Sequence, residues 1–271
     1  VKPHFSLFLG VVVLIGTGLT RVAVASPLPL PSPAADEPFK VFIDVGHGGK
    51  DRGARGLFGI QESDLCLDIG KKVVAGLIDR GKKLGRPLEF ELSRESDVYI
   101  PLRERVDAAN AWGADLFVSI HANSAPTPLA HGFEVYFMSA DASDEAARRL
   151  ARSENKDEGS AVNSQVMSIL SDAQSTYHVQ ESSLFAESLF QSMARRLTPN
   201  IHGVRQAPFT VLAGTEMPSV LIEVGYVNHI KDAKNLAKQD YLKRLADAIS
   251  TGIIEFIRNK DQSKRSIKRV G

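Results

Sequence analysis

The chain has 271 residues, a net charge of +1 and 43% hydrophobic residues. That length admits one sizeable domain with extensions, the apolar share is enough for a buried core, and the balanced charge excludes the basic face of a nucleic-acid binder. With a single cysteine, Cys66, no intrachain disulfide can form, and its neighbours Leu65, Leu67 and Ile69 mark it as small core filler.

At the N-terminus, Lys2 and His4 precede an apolar run from Phe5 to Leu19, and Ala23-Val24-Ala25 is followed by Ser26. A basic start, a run short for a bilayer and an Ala-x-Ala site read as a signal peptide over residues 1–25. The expectation is an exported chain, in the periplasm or cell wall, whose mature part does not span a membrane; an uncleaved anchor is the competing reading. Residues 26–38 carry Pro27, Pro29, Pro31, Pro33 and Pro38 and read as an extended linker. Residues 39–258 form one α/β domain in this reading, and 259–271 a basic, frayed tail.

The first strand is Val41-Phe-Ile-Asp-Val, which runs into Gly46-His-Gly-Gly and so delivers His47 to a strand's carboxyl end. A helix follows from about Ser63, with Leu65, Ile69, Val73 and Leu77 at four-residue spacing. Residues 89–92 are a short strand, and Pro101 opens a helix carrying Leu102, Val106 and Ala109. Residues 116–120 make a near-continuous apolar strand ending in His121, and 132–138 alternate as a strand with one side exposed or near an edge. Residues 143–155 are helical and highly charged, 156–164 loop-like, and 182–197 a long helix. Residues 209–212 and 219–224 read as the last strands, before an amphipathic helix over 241–258. Strands alternating with helices predict a layered sheet of about six mostly parallel strands flanked by helices.

Three strand positions hold residues that a core does not choose: His47, His121 and Glu223, the last inside Val220-Leu-Ile-Glu-Val. A buried carboxylate costs several kcal/mol unless paired or at a metal; the structural alternative is a salt bridge to Arg94 or Arg103. Glu62, at the mouth of the first helix, reads alone as a first-turn acid favoured by the dipole. Together, His47, Glu62 and His121 make a common catalytic zinc set with a position open for water, which leaves Glu223 as the base.

Four blocks then carry a resemblance: Ile43-Asp-Val-Gly-His-Gly-Gly-Lys-Asp, Gln61-Glu-Ser, Ser119-Ile-His-Ala-Asn-Ser and Pro218-Ser-Val-Leu-Ile-Glu-Val-Gly-Tyr. In this order they resemble the zinc-dependent N-acetylmuramoyl-L-alanine amidases of the amidase-3 type, over about residues 41–257. The resemblance implies His47, Glu62 and His121 as zinc ligands, Glu223 as the catalytic carboxylate, and hydrolysis of the amide joining N-acetylmuramic acid to L-alanine in peptidoglycan. The family's Asp-Pro is Asp51-Arg52 here, and His229 stands where a small polar residue is usual; neither departure touches a ligand. Arg94, Arg103 and Asn123 fit the family pattern as anchors and loop braces, and His131, His178 and His202 read as surface residues. Some relatives of cell-division type carry a helix over the zinc that offers it a glutamate. The equivalent stretch here is 142–158, with an apolar stripe of Ala146 and Leu150; Glu154 aligns best with that glutamate and Glu158 is the runner-up. Such a chain rests until an activator protein displaces the helix. The competing functions are another zinc peptidoglycan hydrolase, carboxypeptidase-like, and a non-catalytic wall-binding module.

Overall fold

In the computed structural model, the described residues are 37–127, 129–156, 173–197 and 199–270, with side chains described outside 173–176, 199–202 and 264–270. The expected leader, most of the linker, residues 157–164 and Glu158 lie outside them. Six strands make one sheet: β1 (Phe39–Val45), β2 (Leu88–Leu92), β3 (Leu116–Asn123), β4 (Phe133–Met138), β5 (Pro199–Ala207) and β6 (Ser219–Tyr226). Their order is β2-β1-β3-β6-β4-β5. The pairs β1–β2, β1–β3, β3–β6 and β4–β5 are parallel, and β4 runs antiparallel to β6. The expected α/β sheet of six mostly parallel strands is the one observed.

Six helices are described: α1 (Glu62–Gly81), α2 (Leu102–Trp112), α3 (Glu145–Glu154), α4 (Ala173–Ala194), α5 (Ile230–Leu236) and α6 (Gln239–Val270). The four-residue spacing of Leu65, Ile69, Val73 and Leu77 turns one face of α1 to the sheet, and all four are buried. Each such side chain contributes about 1.5–3 kcal/mol on leaving water. Phe185 and Leu189 of α4 and Leu245, Ile249 and Ile253 of α6 join the same core. A second core on the opposite face gathers Phe42, Ala109, Phe117, Ala147, Ala151 and Phe209, which brings in α2 and α3.

Several elements differ from the sequence reading. Residues 210–212 are a 3₁₀ turn, and the strand lies earlier, at Pro199–Ala207. The apolar run around Phe209 misleads because it packs under α3 from a turn, whereas β5 is polar enough to hide its period. Helix α4 begins nearer Ala173 than Ser182, α5 is an added short helix capped by the imidazole of His229, and α6 continues to Val270. Strand β4 lies one strand in from the edge and is buried on both faces, because its polar Glu134 and Tyr136 are internal. His178 is buried, not on the surface. Among the described residues, no helix is long and apolar enough to cross a membrane.

A buried ion pair locks the centre of this sheet. Asp44, fully buried in β1, accepts from Arg105 Nη1 of α2 (3.1 Å) and from the Ser119 hydroxyl of β3 (2.7 Å). Burial alone would push the Asp44 carboxyl up; the Arg105 guanidinium and the Ser119 hydroxyl outweigh it and hold the carboxyl below its ordinary value. Asp44→Asn would leave the Arg105 charge uncompensated, so it should lower unfolding stability by roughly 3–5 kcal/mol. The shift is downward, so this stabilisation is present above about pH 4 and lost as the pH falls towards the folded-state pKa. Urea unfolding of wild type and variant should therefore diverge at neutral pH and converge in acid; a constant difference across that range would refute the pairing.

Candidate functional site

The order of the strands makes the site. From β1 the chain crosses to β2 on one side, while β3 lies on the other, so a crevice opens at the carboxyl ends of β1 and β3. His47 lies two residues beyond the end of β1, and His121 lies within β3, which runs on to Asn123. Glu62 enters the same space as the first residue of α1.

The loop that presents His47 is strained and braced. His47 has φ 58°, a left-handed conformation costing a non-glycine residue of order 1–3 kcal/mol. Two buried arginines hold it there. Arg94 donates to the carbonyls of Val45 (3.2 Å) and Gly46 (2.7 Å), and Arg105 to those of Val45 (2.9 Å) and His47 (3.1 Å). Two glycines are required by close approach. A Cβ on Gly46 would sit 2.7 Å from the His121 ring, and one on Gly53 would sit 2.6 Å from both Glu62 Oε2 and His47 Cδ2.

The three side chains converge with a fourth. His47, Glu62, His121 and Glu154 each offer a ligand atom, and these atoms all lie within 4.8 Å of one another. Glu62 Oε1 is 3.0 Å from His47 Nε2 and 3.3 Å from His121 Nδ1; Glu154 Oε2 is 3.4 Å and 3.1 Å from the same nitrogens. His47 Nε2, His121 Nδ1 and Glu154 Oε2 are nonetheless buried without a hydrogen-bond partner. Their outer atoms are tied down: His47 Nδ1 to Asp51 Oδ2 at 2.7 Å, and the Glu62 oxygens by the N–H groups of Ala122 (2.9 Å) and Ala54 (2.7 Å). Such outer contacts set the orientation of metal ligands.

The electrostatics agree. Burial disfavours charged imidazoles, but Glu62 pushes His47 up to about 12 and Glu154 pushes His121 up to about 10. Despite burial, His47 and His121 hold the Glu62 carboxyl well below its ordinary range, and His121 holds Glu154 at about 2. Two imidazoles facing two carboxylates suit a divalent cation, which can supply the positive charge that imidazole protons otherwise provide. The residues present therefore fit a metal of the zinc class.

Glu223 is different. In β6 it pairs in register with His121 on β3, it is 1% exposed, and neither of its oxygens has a hydrogen-bond partner. It makes no salt bridge with Arg94, whose nitrogens are taken up by carbonyls, nor a hydrogen bond with any other group. Burial raises its pKa well above the ordinary value, His121 opposes that rise, and the negative fields of Glu154, Glu62 and Glu134 add to it. A carboxyl kept ready to hold a proton beside a cation site has the character of a general acid–base.

Glu154 arrives on α3, whose seat is slight. The face turned inward is Ala147, Ala151 and, in part, Leu150 and Glu154; Ala146, expected in the apolar stripe, is exposed. Asp144 caps the helix by accepting from Ala147 N (2.9 Å), and Asn155 ties its other end to the Pro208 carbonyl (2.8 Å) and Thr210 N–H (2.9 Å). A cavity of about 320 Å³ lies between α3 and the sheet. Sequence reading missed Asp51, Asp44, Arg105, Glu134 and Arg205. The available signal for Asp44 and Glu134 was the one that marked Glu223, an acid within an apolar strand. For Arg205 there was none, since its strand was not recognised. Of the other marked residues, Asn123 donates to Glu134 (3.3 Å), Arg103 is half-buried in the first turn of α2, and His131 stacks on His229 at 5.2 Å.

Known proteins resemble this chain in sequence and fold. Residues 41–255 match the model of the amidase-3 family, described as N-acetylmuramoyl-L-alanine amidase. The chain is 32% identical over 236 residues to the N-acetylmuramoyl-L-alanine amidase AmiA of Salmonella typhimurium, covering 84% of this chain and 80% of that protein. It is 36% identical over 229 residues to the protein YqiI of Bacillus subtilis, with 83% and 90% covered. Among solved structures, the catalytic domain of the amidase CwlV from Bacillus (Paenibacillus) polymyxa var. colistinus superposes with a TM-score of 0.60 at 31% identity, covering 81% of this chain and 98% of that one. The amidase AmiC2 of Nostoc punctiforme gives 0.58 at 32% identity, with 82% and 99% covered. With its strand order, its site and its match over residues 41–255, the chain belongs to the amidase-3 family and is an N-acetylmuramoyl-L-alanine amidase.

Proposed function

We propose that this amidase cuts the bond between the lactyl group of N-acetylmuramic acid and L-alanine as a zinc enzyme, and that α3 holds it at rest. The observation that carries the reading is the convergence of His47, Glu62, His121 and Glu154 beside the unpartnered Glu223. His47, Glu62 and His121 would hold the ion, with Asp51 orienting His47. Zinc bound there supplies Lewis acidity, lowering the pKa of water and polarising the amide carbonyl. Glu223 takes a proton from the attacking water and delivers it to the nitrogen of the leaving alanine. Its raised proton affinity suits the first step, in which it takes the proton, and burial on β6 keeps bulk water from short-circuiting the transfer. A carboxypeptidase-like activity or a binding module has no observation in its favour here.

Glu154 takes the remaining position among the ligands, where water must enter, and α3 roofs the cavity. The fully buried apolar part of the helix is two alanine methyls, worth about 0.8 kcal/mol each, so most of what holds it is a few polar ties that a protein partner can replace. Peptidoglycan as substrate lies outside the cytoplasm, in keeping with the leader read at residues 1–25, the linker at 26–38, a catalytic domain over 39–258 and an end segment, 259–271.

The purified chain should bind one zinc ion, lost in His47→Ala and His121→Ala; full zinc content in both variants, by elemental analysis, would sink the ligand set. In the zinc-loaded protein, Glu223→Gln should keep the fold and cut muropeptide release by about 10²–10⁴-fold, with normal turnover removing Glu223 from the reaction. Glu154→Ala should digest sacculi severalfold faster than wild type without any activator, and Glu158→Ala should not. Equal basal rates in all three proteins would rule out the resting state.

A further inference from the structure

Beneath α3 the sheet carries a second polar cluster that the chemistry above does not use. Glu134 of β4, fully buried, faces Glu223 in antiparallel register. Its oxygens accept from Arg205 Nη1 (2.6 Å), the Tyr226 hydroxyl (2.8 Å) and Asn123 Nδ2 (3.3 Å), so its charge is matched and its lone pairs are used. Arg205 of β5 is 3% exposed. Besides Glu134, its Nη1 donates to the Tyr136 hydroxyl at 2.9 Å, and its guanidinium lies 5.4 Å from the centre of that ring.

The other edge of the guanidinium is less well served. Nη2 donates to Asp144, the cap of α3, and Nε is buried without a partner. Lifting α3 would carry Asp144 away and leave two adjacent donors on a desolvated cation, an arrangement that binds a carboxylate in a bidentate fork. The cavity between α3 and the sheet makes the same point through charge. Arg149, Lys156 and Arg205 are among its lining cations, together with the proposed ligands His47 and Glu62. Arg149 and Lys156 belong to α3 and the residues just after it, and move with the helix, whereas Arg205 belongs to the sheet and stays.

We propose that Arg205 is a substrate-positioning residue. Once α3 is displaced, its Nε and Nη2 take a free carboxylate of the stem peptide in the place of Asp144, which sets the scissile amide at the His47 end of the cavity. The proposal rests on the reading of α3 as the resting-state cover. It makes α3 a mimic at two points, with Glu154 at the ligand cluster and Asp144 in the substrate's carboxylate site. An activator then competes with a thin apolar contact and with the polar ties of Asp144, Glu154 and Asn155, and an acidic substrate that replaces Asp144 on Arg205 helps to keep the helix away.

The test is binding, measured by calorimetry on the zinc-loaded full chain carrying Asp144→Asn, Glu154→Ala and Glu223→Gln. Asparagine preserves the helix cap and removes the competing charge, and the glutamine prevents turnover. The probes are two muramoyl dipeptides, N-acetylmuramoyl-L-alanyl-D-glutamate with the α-carboxylate free or amidated, the γ-carboxyl being blocked as a methylamide in both. The free acid should bind at least about tenfold more tightly than the amide. Adding Arg205→Met should bring the ratio to about one, and Arg205→Lys, which keeps the charge without the fork, should leave an intermediate ratio. Equal affinities for the two probes before Arg205 is changed, or a ratio that Arg205→Met leaves intact, would overturn the proposal. If Arg205→Met fails to fold, as judged by circular dichroism and zinc content, an unchanged ratio in Arg205→Lys is the overturning result. Basal sacculus digestion by Glu154→Ala reports on the cover separately: a wild-type rate there, with the acid preference intact here, removes α3 as the block and leaves Arg205 in its role.

Discussion

The parallel pairing of β3 with β6 places His121 directly beside Glu223, and everything at the site is arranged around that contact. A one-residue slip would send one of the two to the opposite face of the sheet. The register is enforced by near-continuous burial: Val118, Ile120, Val220 and Ile222 fill the core on one face, and Phe117 and Leu221 fill it on the other. With that register set, a histidine and an unpartnered carboxyl share the end of the sheet, where a carboxylate without a cation nearby is costly. The clustered charges are thus tolerated because each imidazole faces a carboxylate.

The precision of the loop after β1 has a different origin. His47 is held in a left-handed conformation that its own side chain disfavours, and the holding is done by Arg94 and Arg105 through backbone carbonyls. Arg105 in turn is neutralised by Asp44, three residues before His47. The strain at the site is therefore balanced by an ion pair between β1 and α2, and the rigidity of the histidine depends on a residue that never touches it.

Over this rigid floor lies an element of the opposite kind. Helix α3 is held by its two ends, Asp144 and Asn155, and by two alanines, while its outer face spends Glu145 on Arg148 and Arg152 at the surface. Exposed pairs of that sort contribute about 0–1 kcal/mol. Stability is thus unevenly distributed: His47, Glu62 and His121 are held by β3, α1 and the braced loop after β1, whereas the helix that meets them has only two fully buried side chains. A low-stability element over a high-stability site is the distribution that a switch needs.

Much of this was legible in the residues themselves. The four sequence blocks, the α/β alternation and the oddity of His47, His121 and Glu223 follow from chain-local signals, because an imidazole after an apolar strand and an acid within one are anomalies that a window of ten residues displays; Glu62, an ordinary first-turn acid by itself, gained weight only beside the two histidines. The edge of the sheet was not legible in the same way. Strand β5 reads Pro-Asn-Ile-His-Gly-Val-Arg-Gln-Ala, with too few apolar residues to show a period, and it is a strand because β4 pairs with it. The buried side of α3 fell one residue away from the stripe read in the sequence, because a short helix is turned by what lies beneath it. The nearness of Glu154 to His121, 33 residues away, was expected only through a resemblance and not from any local signal, and the meeting of Asp144 with Arg205, 61 residues apart, came from the tertiary structure alone. Local chemistry determined which residues were out of place in a core; packing decided which of them face one another, because long-range register and helix rotation are set by contacts no single stretch of sequence contains.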